Sequence, residues 1–274
     1  IMATVGRREE IHTLLDSLER QSSPAFELIV VDQNQGELLE PVLKRLSLSK
    51  IPYTYRRIDR KGLSIARNTG FLSARFGIIG YPDDDCWYDE EVIAQVIRAF
   101  EHDPDMDGMI GTWSETDAGY DTGHLLQNRE WRRFRTGISG ASICIFLRRE
   151  LVENVGGFDE RLGVPLWFGA GEETDLILRC LGSGAKMRYM PDVQIHHPVD
   201  ARDAAIDLER TRVRSRGAGA LYRKHGLSWY VMLRGLMAPL VKSFLPPYST
   251  RQILANFTIM LGRIEGFICW KNTH

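Results

Sequence analysis

The chain has 274 residues, of which 43% are hydrophobic and 26% charged, and a formal net charge of −1. Such a composition builds a real core, which excludes an intrinsically disordered chain, and the length suits one large α/β domain or one domain with an appendage. Charge is unevenly spread: residues 201–274 carry 12 Lys and Arg against 4 Asp and Glu, and residues 1–200 carry 23 against 32. An acidic body with a basic tail suits something anionic, whether membrane, nucleic acid or a partner; with the rest of the chain taken into account, an anionic membrane surface is expected and no nucleic acid. Cys86, Cys144, Cys180 and Cys269 are far apart and form no C-x-x-C pair. This argues against a zinc site or a disulfide scaffold and for a reducing, cytoplasmic compartment. No signal peptide is read, and no run reaches about 20 uninterrupted apolar residues, so no membrane span is expected.

Ile1 to Thr4 reads as the end of a strand, which implies residues upstream. Ile11, Leu14, Leu15 and Leu18 mark one face of a helix from about Arg8 to Gln21. Phe26 to Val31 is a strand that delivers Asp32-Gln33-Asn34 at its end. A helix over Leu38 to Leu46, a strand over Ile51 to Arg56 and a helix over Gly62 to Ala74 follow. Phe76 to Tyr81 is an apolar strand, and Val92, Ile93, Val96, Ile97 and Phe100 give a helical stripe. This alternation predicts a doubly wound, mostly parallel sheet, whose ligands sit beyond the carboxyl ends of the strands. Thr4, Asp32 and Asp83 all lie at such ends. Further on, strands are expected at Met109 to Trp113, Gly140 to Leu147, Met187 to Met190 and Val193 to Ile195. Helices are expected at Arg148 to Val155 and Glu172 to Leu181, with a long loop or loosely helical insert over Ser114 to Arg135. The tail carries a helical stretch with Arg210, Arg212, Arg214 and Arg216, an apolar stretch over Trp229 to Leu245, and a helix over Ile253 to Trp270. Ser249-Thr250-Arg251-Gln252 fits a capping box for the last.

Tyr81-Pro82-Asp83-Asp84-Asp85-Cys86-Trp87 holds three adjacent carboxylates, which repel one another and are costly to bury without a counter-ion. Residues two apart on an extended segment share a face, so Asp83 and Asp85 can act on one cation. Mg²⁺ or Mn²⁺ suits such hard oxygen ligands. An acidic turn capping a helix through Asp85 or Asp89 is the plainer alternative. His196 and His197, adjacent at a later strand end, are further candidate ligands. In Gly169-Ala170-Gly171-Glu172-Glu173-Thr174-Asp175 the acids open a helix, where the dipole favours them; a general base is the functional alternative. Arg60, Lys61 and Arg67 lie near a strand-end site and suit a diphosphate, although Arg60 also reads as a solvated helix start. In the tail, an apolar stretch flanked by Arg and Lys with Trp229, Tyr230 and Trp270 suits an anionic membrane, or packing on the body or a second subunit.

Several segments occur in a telling order: Ala3-Thr4-Val5-Gly6-Arg7, Glu27 to Asp32, Lys61 to Gly70, Asp83-Asp84-Asp85, Val155 to Glu160, Gly171 to Leu176, and Pro191 to His196. This ordered set resembles the family 2 glycosyltransferases of the GT-A fold over about residues 1–200. The resemblance implies a Rossmann-like α/β domain at 1–200, with a nucleotide half at about 1–113 and an acceptor half at about 114–200. A helical tail follows at 201–274. It implies a nucleotide-sugar donor, with UDP favoured, a glycan or lipid-linked acceptor, and Mn²⁺ or Mg²⁺. Thr4 and Arg7 would line the nucleotide pocket, Asp32 the base, and Arg67 the base or phosphate, with Lys61 and Arg67 offsetting the diphosphate charge. Asp83 would meet the ribose or the metal beside Asp84, and Asp85 would bind the metal. His196 matches the late metal-binding histidine best, followed by His197. Glu173 falls on the catalytic-base position of an inverting transferase, where Asp is commoner. Cys86 and Gln33 also depart from commoner acids. Leu166-Trp167-Phe168 and the insert 114–135 would border the acceptor, and Pro198 to Ala205 would form a lid ordered by donor binding. Two alternatives remain at this point: a sugar-phosphate nucleotidyltransferase, which would want a glycine-rich loop where only Gly6 stands, and a non-catalytic docking module of the same fold.

Overall fold

A computed structural model of the chain describes residues 1–113, 119–134, 136–198, 207–244, 246 and 249–271. The first elements follow the alternation expected from the sequence. They are β1 (Met2–Thr4), α1 (Glu9–Glu19), β2 (Leu28–Asp32), α2 (Glu40–Leu48), β3 (Tyr53–Arg57) and α3 (Leu63–Phe71). β1, β2 and β3 pair in parallel in that order. β2 is buried at every residue, as expected of a parallel strand covered on both faces. The chain continues through β4 (Ile78–Gly80), β5 (Trp87–Tyr88), α4 (Val92–His102) and β6 (Gly108–Thr112). Thr4 stands opposite Asp32, and a parallel bridge joins Ala3 to Asp83. One sheet edge therefore gathers Thr4, Asp32 and Asp83.

The second half holds β7 (His124–Leu125), α5 (Asn128–Trp131), a 3-10 turn (Ser142–Cys144), β8 (Ile145–Arg148), α6 (Arg149–Val155), α7 (Glu172–Gly182) and β9 (Met187–His196). Its sheet runs β4-β8-β6-β9-β5, with β7 added on β9. Only β6 and β9 pair in parallel; the other pairs are antiparallel. No long crossover helix lies between β6 and β8 among the described residues, and without one a returning strand runs antiparallel. Two expectations are corrected. The strand expected over Gly140 to Leu147 is a turn followed by β8. The two strands expected around Pro191 are one, because the register against β6 shifts between Ile110 and Thr112 and leaves Pro191 outside the ladder. β5, two residues long, carried no sequence signal. Of the insert, 114–118 and Arg135 lie outside the described residues, as does all of the expected lid except Pro198.

Three helices form the tail: α8 (Leu208–Lys224), α9 (Trp229–Lys242) and α10 (Thr250–Cys269). The expected cap is present, the Gln252 N–H donating to Ser249 Oγ at 3.0 Å. α8 lies directly on the body. A Cβ at Gly217 would come within 1.9 Å of the Ala170 carbonyl oxygen, so only glycine allows this approach. At its C-terminal end Lys224 Nζ lies 2.7 Å from Asp159 Oδ2 and 2.6 Å from the fully buried Asp175 Oδ1, and His225 Nε2 lies 2.9 Å from the same Asp175 oxygen. Trp270, beyond α10, is buried against Phe168 and under the Arg161 guanidinium. The tail is thus anchored on the body at α8, while the outer faces of α9 and α10 stay exposed.

Candidate active site

The acidic turn after β4 divides its three carboxylates between two arginines. Arg7 Nη1 donates to Asp84 Oδ1 at 2.6 Å and lies 2.5 Å from Asp85 Oδ2. Asp83 turns to the other side, where Arg67 Nη2 donates to its Oδ1 at 3.0 Å. Asp83, Asp85 and His197 each offer a ligand atom within 4.8 Å of the others. Desolvation in the cleft pushes the Asp83 and Asp84 carboxyls above the usual carboxylate range. Burial acts on Asp85 in the same direction, but His197 and Arg7 outweigh it and hold Asp85 low. His197 is in turn raised by its contact with Asp85.

Of the two candidate histidines, the structure brings His197 to the cluster and leaves His196 outside. His196 pairs in register with Trp87, stacks on its ring at 5.4 Å, and places Nε2 2.9 Å from Asp89 Oδ1. Successive side chains leave a strand on opposite faces, so the next residue points the other way, and His197 Nε2 lies 3.1 Å from Asp85 Oδ1. That oxygen is buried and, beyond this approach of the His197 ring, makes no hydrogen bond of good geometry. A buried acceptor left open beside a second carboxylate and an imidazole fits a divalent cation of the Mn²⁺ or Mg²⁺ kind.

Arg67 connects this cluster to the start of α7. It is only 1% exposed, a burial that an arginine tolerates only when paired. Nη2 also donates to Ser142 Oγ at 2.6 Å, Nη1 lies 3.5 Å from Glu173 Oε1 and 3.9 Å from Glu172 Oε1, and the guanidinium sits 5.2 Å from the centre of the Phe158 ring. At the next position of α3, Asn68 donates to the Phe158 carbonyl at 2.9 Å and accepts from the Phe158 N–H at 2.8 Å. This ties α3 to the Gly156-Gly157-Phe158 turn; Gly157 has φ +67, and a Cβ there would lie 2.6 Å from Asn68 Oδ1.

Glu172 and Glu173 differ in setting. The Glu172 side chain is 7% exposed and that of Glu173 is 22% exposed. Burial, and then the charge of Glu173, push the Glu172 carboxyl up to about 8. Burial thus favours the protonated form of Glu172, and Glu173 is the more exposed of the two. This has a measurable consequence for stability. An unfolded Glu172 releases its proton near the ordinary value of 4.5 and the folded one only near about 8. Its burial costs stability progressively as pH rises between those values. Relative to wild type, Glu172→Gln is expected to melt at an increasingly higher temperature as pH is raised from 5 to 8; a pH-independent difference counts against the assignment.

The remaining expected residues are placed as follows. Both Asp32 oxygens are engaged: Oδ1 accepts from the Asn34 N–H and Nδ2, each at 2.8 Å, and Oδ2 from the Tyr55 hydroxyl at 2.8 Å. Burial and Asp32 push that hydroxyl up to about 12. Asp32 thus shapes the 33–34 turn, which in turn holds Gly62 through Gln33 Oε1 at 2.7 Å. Thr4 is buried at the same edge with its Oγ1 lacking a hydrogen-bond partner. Lys61 is exposed ahead of α3 and is joined to none of the carboxylates among the described residues. Trp167 is half-exposed with Arg216 4.4 Å from its ring centre, so it is not a core aromatic. Sequence reasoning missed Ser142 and the Trp113 ring, 6.0 Å from that of His197. Both sit at irregular positions with no periodic signal. An apolar cavity of about 460 Å³ beside Ile1, between β2, β4 and α4, contains none of these site residues.

The sequence profile of Glycosyl transferase family 2 matches residues 1–156. The chain belongs to that family. The match takes in Arg67 and Asp83 to Asp85 and stops before Glu173 and His197. This family 2 chain is 27% identical to the O-antigen biosynthesis protein RfbC of Myxococcus xanthus, over 72% of this chain and 17% of that protein. It is 28% identical to an uncharacterized glycosyltransferase of Haemophilus influenzae, over 39% of this chain and 35% of that protein. It thus spans well under half the length of either. Among solved structures, it resembles the mannosyltransferase PcManGT of Pyrobaculum calidifontis in complex with GDP-Man and Mn²⁺. The TM-score is 0.65 at 14% identity, covering 97% of this chain and 85% of the other. It also resembles S. aureus TarS 1-349 in complex with UDP-GlcNAc, with TM-score 0.62 at 13% identity, covering 97% and 90%. The fold is therefore that of the GT-A glycosyltransferases, with its C-terminal helical region included.

Proposed function

We propose that the chain transfers a sugar from a nucleotide-sugar, by preference a UDP-sugar, to a hydroxyl of a glycan or lipid-linked acceptor, with inversion at the anomeric carbon. The observation that carries this reading is Arg67, which touches both Asp83 of the carboxylate–histidine cluster and Glu173. Asp83, Asp85 and His197 would hold Mn²⁺ or Mg²⁺, which when bound supplies positive charge against a departing diphosphate. Glu173 accepts the proton of the acceptor hydroxyl, which alone is a poor nucleophile at neutral pH. The acceptor oxygen bonds to the anomeric carbon as the carbon–oxygen bond to the diphosphate breaks, and that electron pair leaves with the nucleoside diphosphate. Arg67, with Lys61, offsets the charge that builds there. Thr4, Arg7, Asp32 and Asp84 form the nucleotide edge. A single displacement inverts configuration, and no carboxylate nucleophile is required.

The solved complexes with GDP-Man and UDP-GlcNAc support a nucleotide-sugar donor, and the likeness to an O-antigen biosynthesis protein supports an acceptor in surface-polysaccharide synthesis. Family membership favours sugar transfer over nucleotidyl transfer. In this reading 1–200 is the catalytic unit, donor side at about 1–113 and acceptor side at about 114–200, and 201–274 is the tail. The four cysteines are all free, which supports a reducing, cytoplasmic setting.

A thermal-shift panel of UDP-, GDP- and dTDP-sugars with and without Mn²⁺ tests the donor and the metal together. A ligand bound only by the native state raises the melting temperature by mass action. One nucleotide-sugar is expected to stabilise the wild type in a metal-dependent way, and Asp85→Asn to remove the metal-dependent part. No shift with any nucleotide in the presence of Mn²⁺ overturns the proposal.

A further inference from the structure

α10 presents Leu254, Phe257, Leu261, Ile264 and Ile268 to solvent, each between 36% and 71% exposed. Their spacing, alternately three and four residues, places them in one stripe opposite the face that packs on α8. Ile253, Met260 and Phe267, half-buried, run beside that stripe at seven-residue intervals, on the side towards α9. On α9, Trp229, Leu233, Met237 and Val241 follow at four-residue intervals, each 45% to 71% exposed. Asn256 Nδ2 donates to Ser243 Oγ at 3.0 Å, and Arg263 donates to the Gly235 carbonyl, so the two helices are in contact. Two helices in contact thus expose apolar side chains well beyond the scattered ones normal on a soluble surface.

Residues 228–271 carry Arg234, Lys242, Arg251, Arg263 and Lys271 and a single acid, Glu265. Glu265 is already neutralised, its carboxylate bound by Arg212 and Arg216 of α8. The surroundings of the apolar face are therefore cationic. No helix among the described residues is long and apolar enough to cross a membrane. We propose that the α9–α10 face lies on an anionic lipid bilayer, apolar side chains among the acyl boundary and cations at the headgroups. A helix from a second copy fits one stripe of three-and-four spacing; it leaves the α9 half of the face uncovered. α8 is wedged between α10 and the Ala170 backbone, so docking here fixes the height of the loop before Glu173 above the lipid. The proposal stands on this face alone and is independent of the reaction assigned above.

Flotation with vesicles tests it. The wild type is expected to float with equimolar phosphatidylcholine–phosphatidylglycerol vesicles and about tenfold less with phosphatidylcholine alone, and to be released by high salt. Replacing Leu254, Leu261 and Ile268 together by Ser, and separately Trp229 by Ser, is expected to reduce flotation several-fold with unchanged circular dichroism. Wild type that stays at the bottom with both vesicles overturns the proposal, as does a folded triple variant that floats like wild type. A wild-type dimer seen by light scattering that the triple variant dissociates, with neither floating, assigns the face to a second copy instead.

Discussion

Glu173→Gln is expected to lower the rate of sugar transfer by about 10²–10⁴-fold, the contribution typical of a positioned general base. The same variant is expected to keep the donor-induced thermal shift of the wild type. Glutamine preserves the length and shape of the side chain and can still meet the Arg67 guanidinium 3.5 Å away, while losing the ability to take a proton. Glu172 provides the internal control. It is as close in sequence, but buried and protonated, so Glu172→Gln should change the pH dependence of stability more than turnover. If Glu173→Gln lost donor binding and transfer together, the residue would be holding the nucleotide site, and the base assignment would fall.

Arg67→Met is expected to cost about 3–5 kcal/mol of folding stability, the usual penalty for stripping one partner from a buried ionic cluster. The arginine is the shared counter-ion of Asp83, Glu172 and Glu173, and it also fills the space between Ser142 and the Phe158 ring. Methionine restores much of the volume and none of the charge, so Asp83, Glu172 and Glu173 are left without this cation. A melting temperature within a degree or two of wild type would show that these acids are solvated, not paired. Combining Arg67→Met with Asp83→Asn should cost less than the two single changes summed, because the second change removes a charge that the first leaves uncompensated.

Much of the site was legible because strand ends are easy to find. Apolar runs stop at Thr4, at Asp32 and just before Asp83, and parallel pairing alone brings those three positions to one edge. The choice between His196 and His197 was not legible in this way. The residue pattern shows that a strand ends there, but which histidine faces the carboxylates depends on register. A shift of one residue exchanges the two. The role of Arg67 was legible only in part. Its place beside a phosphate-binding segment suggested a ligand contact, but its complete burial, and its shared use by Asp83 and Glu173, depend on residues up to 106 positions away.

The order of apolar and acidic segments was sufficient for the α/β class and the family resemblance, because these follow from local periodicity: two for strands, 3.6 for helices. Tertiary packing assigned the rest. It turned His197 and not His196 towards Asp85, raised the Glu172 carboxyl by burying it more deeply than Glu173, and seated α8 against Ala170 at a contact that only Gly217 permits. Burial and proximity depend on residues distant in the chain, and no periodicity within one segment encodes them.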